Sequence, residues 1–103
     1  MLQFLKRLFS SESQPSIDEM MSNGGVIVDV RSAGEYAGGH VKNSINIPLD
    51  ALELRVDELD SSKPIVTCCA SGMRSASAKR ILKAKGFSQV RNGGGWASLK
   101  KYE

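Results

Sequence analysis

Residues Pro64–Phe87, "PIVTCCASGMRSASAKRILKAKGF", decide the architecture, because they hold a strand, a loop and a helix in succession. "PIVTC" is an apolar, β-branched run of the kind that forms a strand buried on both faces. "SASAKRILKAKGF" reads as a helix, with small residues at its start, Ile81 and Leu82 inside, lysines near its end and Gly86 beyond it as the C′ stop. A short loop of small residues joins the two. The chain's only cysteines, Cys68 and Cys69, fall where the strand gives way to that loop. In sheets made of such units, ligands bind where strand C-terminal ends pass into loops.

Strands and helices alternate on either side of this stretch. "SQPSIDEMMSNGG" has Ser16 as an N-cap, Glu19 at the capping-box spacing and Asn23-Gly24-Gly25 as a stop. "VIVDV" is a second buried strand, and "RSAGEYAGG" carries another capping box, Ser32 to Glu35, closing at Gly38-Gly39. "SINIP" is a short strand ended by Pro48. "LDALELRVDELDSS" spaces Leu49, Leu52, Leu54, Val56 and Leu59 among acids, as helical turns do. "SQVRNGG" is a last short strand and "WASLKKYE" a closing helix. The alternation argues for an α/β domain with a mainly parallel sheet.

At 103 residues the chain has the length of one domain. A chain of that size buries roughly 60–70% of the surface its unfolded form exposes, so it needs no disulfide staples. The net charge of +3 is mild. Its basic groupings, "KRILKAK" and "LKKY", read as solvated helix faces, and without interleaved aromatics they make no nucleic-acid surface. A weakly positive surface suits a small anionic substrate. Adjacent cysteines build no disulfide framework, and a lone His adds no zinc set, so neither metal nor organic cofactor is expected. Free thiols fit a reducing compartment, and the chain reads as cytoplasmic.

The segment 1–14 reads as an N-terminal amphipathic extension to a domain of residues 15–103. On a helix, Leu2, Phe4, Leu5, Leu8 and Phe9 share one side, with Gln3, Lys6 and Arg7 opposite. Docking on the domain or against a partner is the favoured account. The apolar stretch is too short for a signal peptide, and stable membrane insertion is not expected.

A free thiol has a pKa of about 8.5, so little of it is thiolate at neutral pH. Set before a helix N-terminus, a sulfur meets a partial positive charge and unpaired backbone N–H donors, and both favour the anion. Ala70, Ser71 and Gly72 let the backbone curl into an anion-binding nest, and Arg74 adds a positive charge nearby. The bland reading, a small buried hydrophobe at a strand end, suits Cys68. Cys69, followed by this loop, is the reactive candidate.

"CASGMRS" resembles the active-site loop of rhodanese-like sulfurtransferases, Cys-x-x-Gly-x-Arg-Ser, with Cys69, Gly72, Arg74 and Ser75 at the matching positions. "DVRSAGEYAGGHVKNSINIPL" is similar to the family's upstream signature through Asp29, Arg31, Glu35, Tyr36, Gly39, His40, Asn46, Ile47 and Pro48. The downstream signature is matched by Gly86, Phe87, Gly94, Gly95 and Trp96. The resemblance implies a three-layer domain whose mainly parallel central sheet has about five short strands flanked by helices. It also implies a reaction. Cys69 would attack the outer sulfur of a donor such as thiosulfate, carry it as a persulfide held by the N–H groups of Ala70 to Ser75, and pass it to cyanide or a thiol acceptor. A monomer is expected.

Alternatives remain at this point. Cys68 to Arg74 has the Cys-x5-Arg spacing of cysteine phosphatases, in which the arginine clamps phosphate bidentately. Against it, Thr67 stands where those enzymes have His, and Gly72 is two rather than three residues before the arginine. A loop shorter by one residue fits sulfane sulfur better than phosphate. A catalytically silent binding module is a third reading, opposed by the intact cysteine. Cys68 could also resolve a Cys69 persulfide as a vicinal disulfide, although neighbours on a strand point apart. Arg74 either attracts the anionic donor or pairs with an acid. Arg31 either attracts substrate or pairs with Glu35. His40 and Trp96 read as structural, Asp29 as a loop anchor, and Ser71 and Met73 as the pocket mouth.

Overall fold

The apolar runs become Val26–Asp29 (β1), Ile45–Asn46 (β2), Ile65–Cys69 (β3) and Val90–Gly95 (β4) in a computed structural model that describes residues 14–103. They form one parallel sheet in the order β2-β1-β3-β4. Parallel neighbours cannot be joined by hairpins, so each connection crosses a face of the sheet. The connections carry α2 (Ala33–Ala37), α3 (Leu49–Arg55, continued by a 3-10 turn) and α4 (Met73–Ala84), while α1 (Ile17–Ser22) leads into β1. The sheet thus has four strands among the described residues, beside the expectation of about five. The closing segment Trp96–Tyr102 is a run of 3-10 turns rather than an α-helix. The reading of residues 1–13 as an amphipathic helix lies outside the described residues. Among those described, no helix is long and apolar enough to cross a membrane.

Side chains alternate across each strand and feed two separate cores. On one face Val28, Ile65, Cys69 and Val90 pack with Leu52 of α3 and Ala78 and Leu82 of α4. On the other, Ile27, Val66 and Cys68 pack with Met20 of α1 and Leu99 of the closing turns. Helices on both faces make the three layers. The adjacent cysteines therefore look into different cores.

Both expected capping boxes form. Glu19 N donates to Ser16 Oγ at 3.1 Å and Glu35 N to Ser32 Oγ at 3.2 Å, with each glutamate side chain reaching back to its serine's N–H. Such caps matter most for short helices, because a few turns contribute little by themselves. Gly86 follows α4 with φ +99, the left-handed geometry of a C′ glycine.

β4 approaches β3 closely because it carries glycine at Gly93, where a Cβ would stand 2.7 Å from Val66 Cγ1 and 2.9 Å from the Thr67 carbonyl. Gly93→Ala should therefore cost about 1–3 kcal/mol by overpacking. Gly34→Ala, with open space at the same atom, should cost nothing. Urea midpoints measured at constant m value test the pair, and equal stabilities of the two variants would refute the close packing.

Candidate functional site

Parallel strands deliver their C-terminal ends to one edge, and register fixes what meets there. Asp29 lies beside Cys68, and Cys69 beside Gly95, with an irregularity between Thr67 and Cys69. The loops after β1 and β3 and the end of β4 thus converge on one place.

Cys69 Sγ sits at the centre of it. Gly72 N donates to the sulfur at 2.9 Å and Ser75 N at 3.4 Å, and the Ser75 hydroxyl lies 3.6 Å away. Helix α4 has Gly72 as its N-cap and no side-chain cap bond. The sulfur takes the N–H three residues beyond that cap, the bond a capping Ser or Asp oxygen would ordinarily accept. Gly72 adopts φ +105, and a Cβ there would meet Gly94 Cα at 3.3 Å, so the loop needs glycine at this turn.

Cys69 is only 1% exposed and shares a core with Val30 and Ile47, so its surroundings are apolar on one side and polar on the loop side. Burial pushes the thiol up. The Ser75 hydroxyl and the N–H groups of Ser75, Gly72 and Ser71 more than reverse this, bringing its pKa down to about 7. Cys68 faces the other way. Burial and the nearby Asp29 carboxylate push its pKa up to about 12, so it is neutral at any ordinary pH. That placement disfavours both roles considered for Cys68. A phosphate loop counted from Cys68 would need its amides on the opposite side of the sheet, and a vicinal disulfide would need the two sulfurs on one side.

Both arginines are engaged. Arg74 makes a bidentate pair with Glu35 at 2.7 and 3.0 Å, the ion-pair alternative among its two readings. Arg74 first, then the Ser32 N–H, hold the Glu35 carboxyl down to about 2. Arg31 is 4% exposed and donates to both Asp29 carboxylate oxygens and to the Gly39 carbonyl. Its guanidinium lies 4.6 Å from the Trp96 ring centroid. Its carboxylate partner is Asp29 rather than Glu35, because Glu35 is turned toward Arg74. Asp29 also accepts the Arg31 N–H at 3.0 Å, the loop anchorage expected of it. His40 stacks on Tyr36 and bonds the Tyr36 carbonyl at 2.8 Å, a structural position. Ser71 and Ala70 are exposed, and Met73 is 81% exposed beside the loop.

The sequence alone does not single out Asn92. Its Oδ1 lies 2.5 Å from Ser75 Oγ and accepts Gly94 N at 2.9 Å, and its Nδ2 donates to the Gly72 carbonyl at 3.0 Å. "NGG" carries an Asx-turn signal that could have marked it, but only the β3–β4 register brings it to the loop.

A sequence profile of the rhodanese-like domain matches residues 13–101. The chain belongs to the rhodanese-like sulfurtransferase family. Thiosulfate sulfurtransferase GlpE of Ectopseudomonas mendocina (strain ymp) is 33% identical over 82 residues, covering 80% of this chain and 75% of that protein. The putative sulfur carrier protein YrkF of Bacillus subtilis (strain 168) is 41% identical over 66 residues, 64% of this chain. The solved structure "rhodanese with anions from E. coli" superposes with a TM-score of 0.67 at 33% identity, covering 71% of this chain and 88% of its own. Other relatives are longer, and this rhodanese-like chain spans 52% and 36% of two Bacillus subtilis proteins that it matches.

The two cysteines should differ sharply toward iodoacetamide. At about pH 8 the folded protein should take one label, on Cys69, and a second on Cys68 only after unfolding. Peptide mapping reads this directly; equal labelling of both in the folded state would contradict the two-face arrangement.

Proposed function

We propose that this chain moves a sulfane sulfur from thiosulfate or a related donor to a thiol acceptor through a Cys69 persulfide. The observation that carries the reading is the set of donors converging on Cys69 Sγ, which lets an anionic sulfur exist there near neutral pH. The thiolate attacks the outer sulfur of the donor, forming a new S–S bond. The old S–S bond breaks, and sulfite leaves with its electron pair. The outer sulfur then carries the negative charge, and N–H groups of the Ala70–Ser75 loop are the donors available to it. An acceptor thiolate takes the outer sulfur, and Cys69 thiolate departs. The half-reactions are separate, so ping-pong kinetics follow.

With Arg74 bound to Glu35 and Arg31 to Asp29, the backbone amides carry most of the anion recognition and Arg31 serves the structure. Likeness to the thiosulfate sulfurtransferase GlpE favours thiosulfate as the donor, and likeness to the putative sulfur carrier protein YrkF favours hand-over to or from a carrier. Two free, buried cysteines suit the cytoplasm. The profile's start at residue 13 is in keeping with a domain of 15–103 behind an extension of 1–14.

Incubation with thiosulfate should add the mass of one sulfur atom to the Cys69 peptide, and cyanide should remove it. Cys69→Ser should lose both the adduct and thiosulfate:cyanide turnover. Turnover retained in that variant, or aryl-phosphate hydrolysis lost in Cys68→Ser but kept in Cys69→Ser, would overturn the reading.

A further inference from the structure

Ser75 Oγ has one proton and three acceptors in reach: Asn92 Oδ1 at 2.5 Å, the Gly72 carbonyl at 3.1 Å and Cys69 Sγ at 3.6 Å. The orientation of the Asn92 carboxamide is fixed by two other partners. Gly94 N must meet its oxygen and the Gly72 carbonyl its NH2 group, so a flipped amide would set like against like at both ends. Oδ1 only accepts, which makes Ser75 the donor in the shortest of the three contacts. With its proton given to Asn92, the hydroxyl can only accept from sulfur, the arrangement of a neutral Cys69 thiol. An anionic sulfur requires the reverse. Thiol and thiolate therefore compete with Asn92 over a single hydroxyl proton.

We propose that Asn92 is a positioning residue that holds the Ser75 hydroxyl proton while Cys69 is a thiol and yields it to the sulfur on ionisation, so setting the pH at which the loop becomes reactive. On ionisation the thiol proton leaves to water, the Ser75 O–H turns from Asn92 Oδ1 to Cys69 Sγ, and Oδ1 keeps the Gly94 N–H. When a persulfide shifts the charge to the outer sulfur, Sγ needs the hydroxyl less and the proton swings back to Asn92. Asn92 never touches the sulfur and acts wholly through Ser75.

Arg74 of α4, paired with Glu35 of α2, interacts with the Cys69 charge, and Asp29, the last residue of β1, is paired with Arg31 just beyond it. Cys68 of β3 faces the other core, and on its outer side Asn92 faces Lys79, Arg80 and Lys83 across a groove. Apolar substitution at position 92 adds no charge to this set. Asn92 is exposed, so its replacement leaves the two cores intact.

The inference rests on Cys69 as the reacting group, and its test reads ionisation by alkylation, with no sulfur transfer involved. Failure to form a persulfide would sink the proposed activity and leave this result standing. The rate of iodoacetamide labelling of Cys69 against pH is measured for the parent, Asn92→Leu, Asn92→Ala, Asn92→Asp, Ser75→Ala and the Asn92→Leu/Ser75→Ala double variant. Removing the nearer of the two competing acceptors should lower the apparent pKa, so that Asn92→Leu and Asn92→Ala react about three to ten times faster near pH 6. Asn92→Asp keeps an acceptor and adds a negative charge, both of which oppose the thiolate, so it should react no faster than the parent, and in the Ser75→Ala background Asn92→Leu should change nothing. If Asn92 merely braced the loop, both apolar variants would misplace the amides and raise the apparent pKa. A raised or unchanged value in the folded variants, or an acceleration that survives Ser75→Ala, overturns the proposal.

Discussion

A helix that begins without a cap is capped here by a sulfur. The first N–H groups of α4 have no partner within the helix, and Gly72, at the capping position, has no side chain to offer. Cys69 Sγ takes the Gly72 and Ser75 N–H groups instead, and in doing so becomes the acceptor that the helix end requires. Stability and reactivity are then one interaction seen from two sides. The helix end is satisfied best by an anionic acceptor, and the sulfur is ionised most readily where such donors converge.

The rest of the architecture serves to hold that geometry. Thr67 Oγ1 donates to the Ser75 carbonyl at 2.9 Å, so strand β3 grips the first turn of the helix that its own next-but-one residue caps. The glycines of β4 allow close approach, and Asn92 ties that strand to the Gly72 carbonyl. The positive side chains nearest the loop are neutralised by Glu35 and Asp29, which leaves fixed backbone dipoles rather than mobile cations facing the sulfur. Dipoles already in place need not reorganise as charge develops.

Much of this was legible in the chain, because the signals were local. Both Ser-x-x-Glu capping boxes, the Gly86 stop and the β-branched runs lie within a few residues of what they determine. The side-chain period of two along a strand separates Cys68 from Cys69, and the helix following "CASG" marks which cysteine meets amides. What stayed hidden was pairing across long separations. Arg74 finds Glu35 at 39 residues' distance and Ser75 finds Asn92 at 17, and both depend on sheet order and register. Arg31 had two carboxylates within reach in sequence, and only the Arg74 contact explains why Asp29 is the one it takes.

The direct test of the sulfur as an anionic cap is a pH titration of backbone amide resonances by NMR. The amides of Ser71, Gly72 and Ser75 should move together with one midpoint near 7, and the movement should vanish in Cys69→Ser. Amides that stay still through neutral pH, or that titrate at the ordinary thiol value of about 8.5 or above, would contradict it.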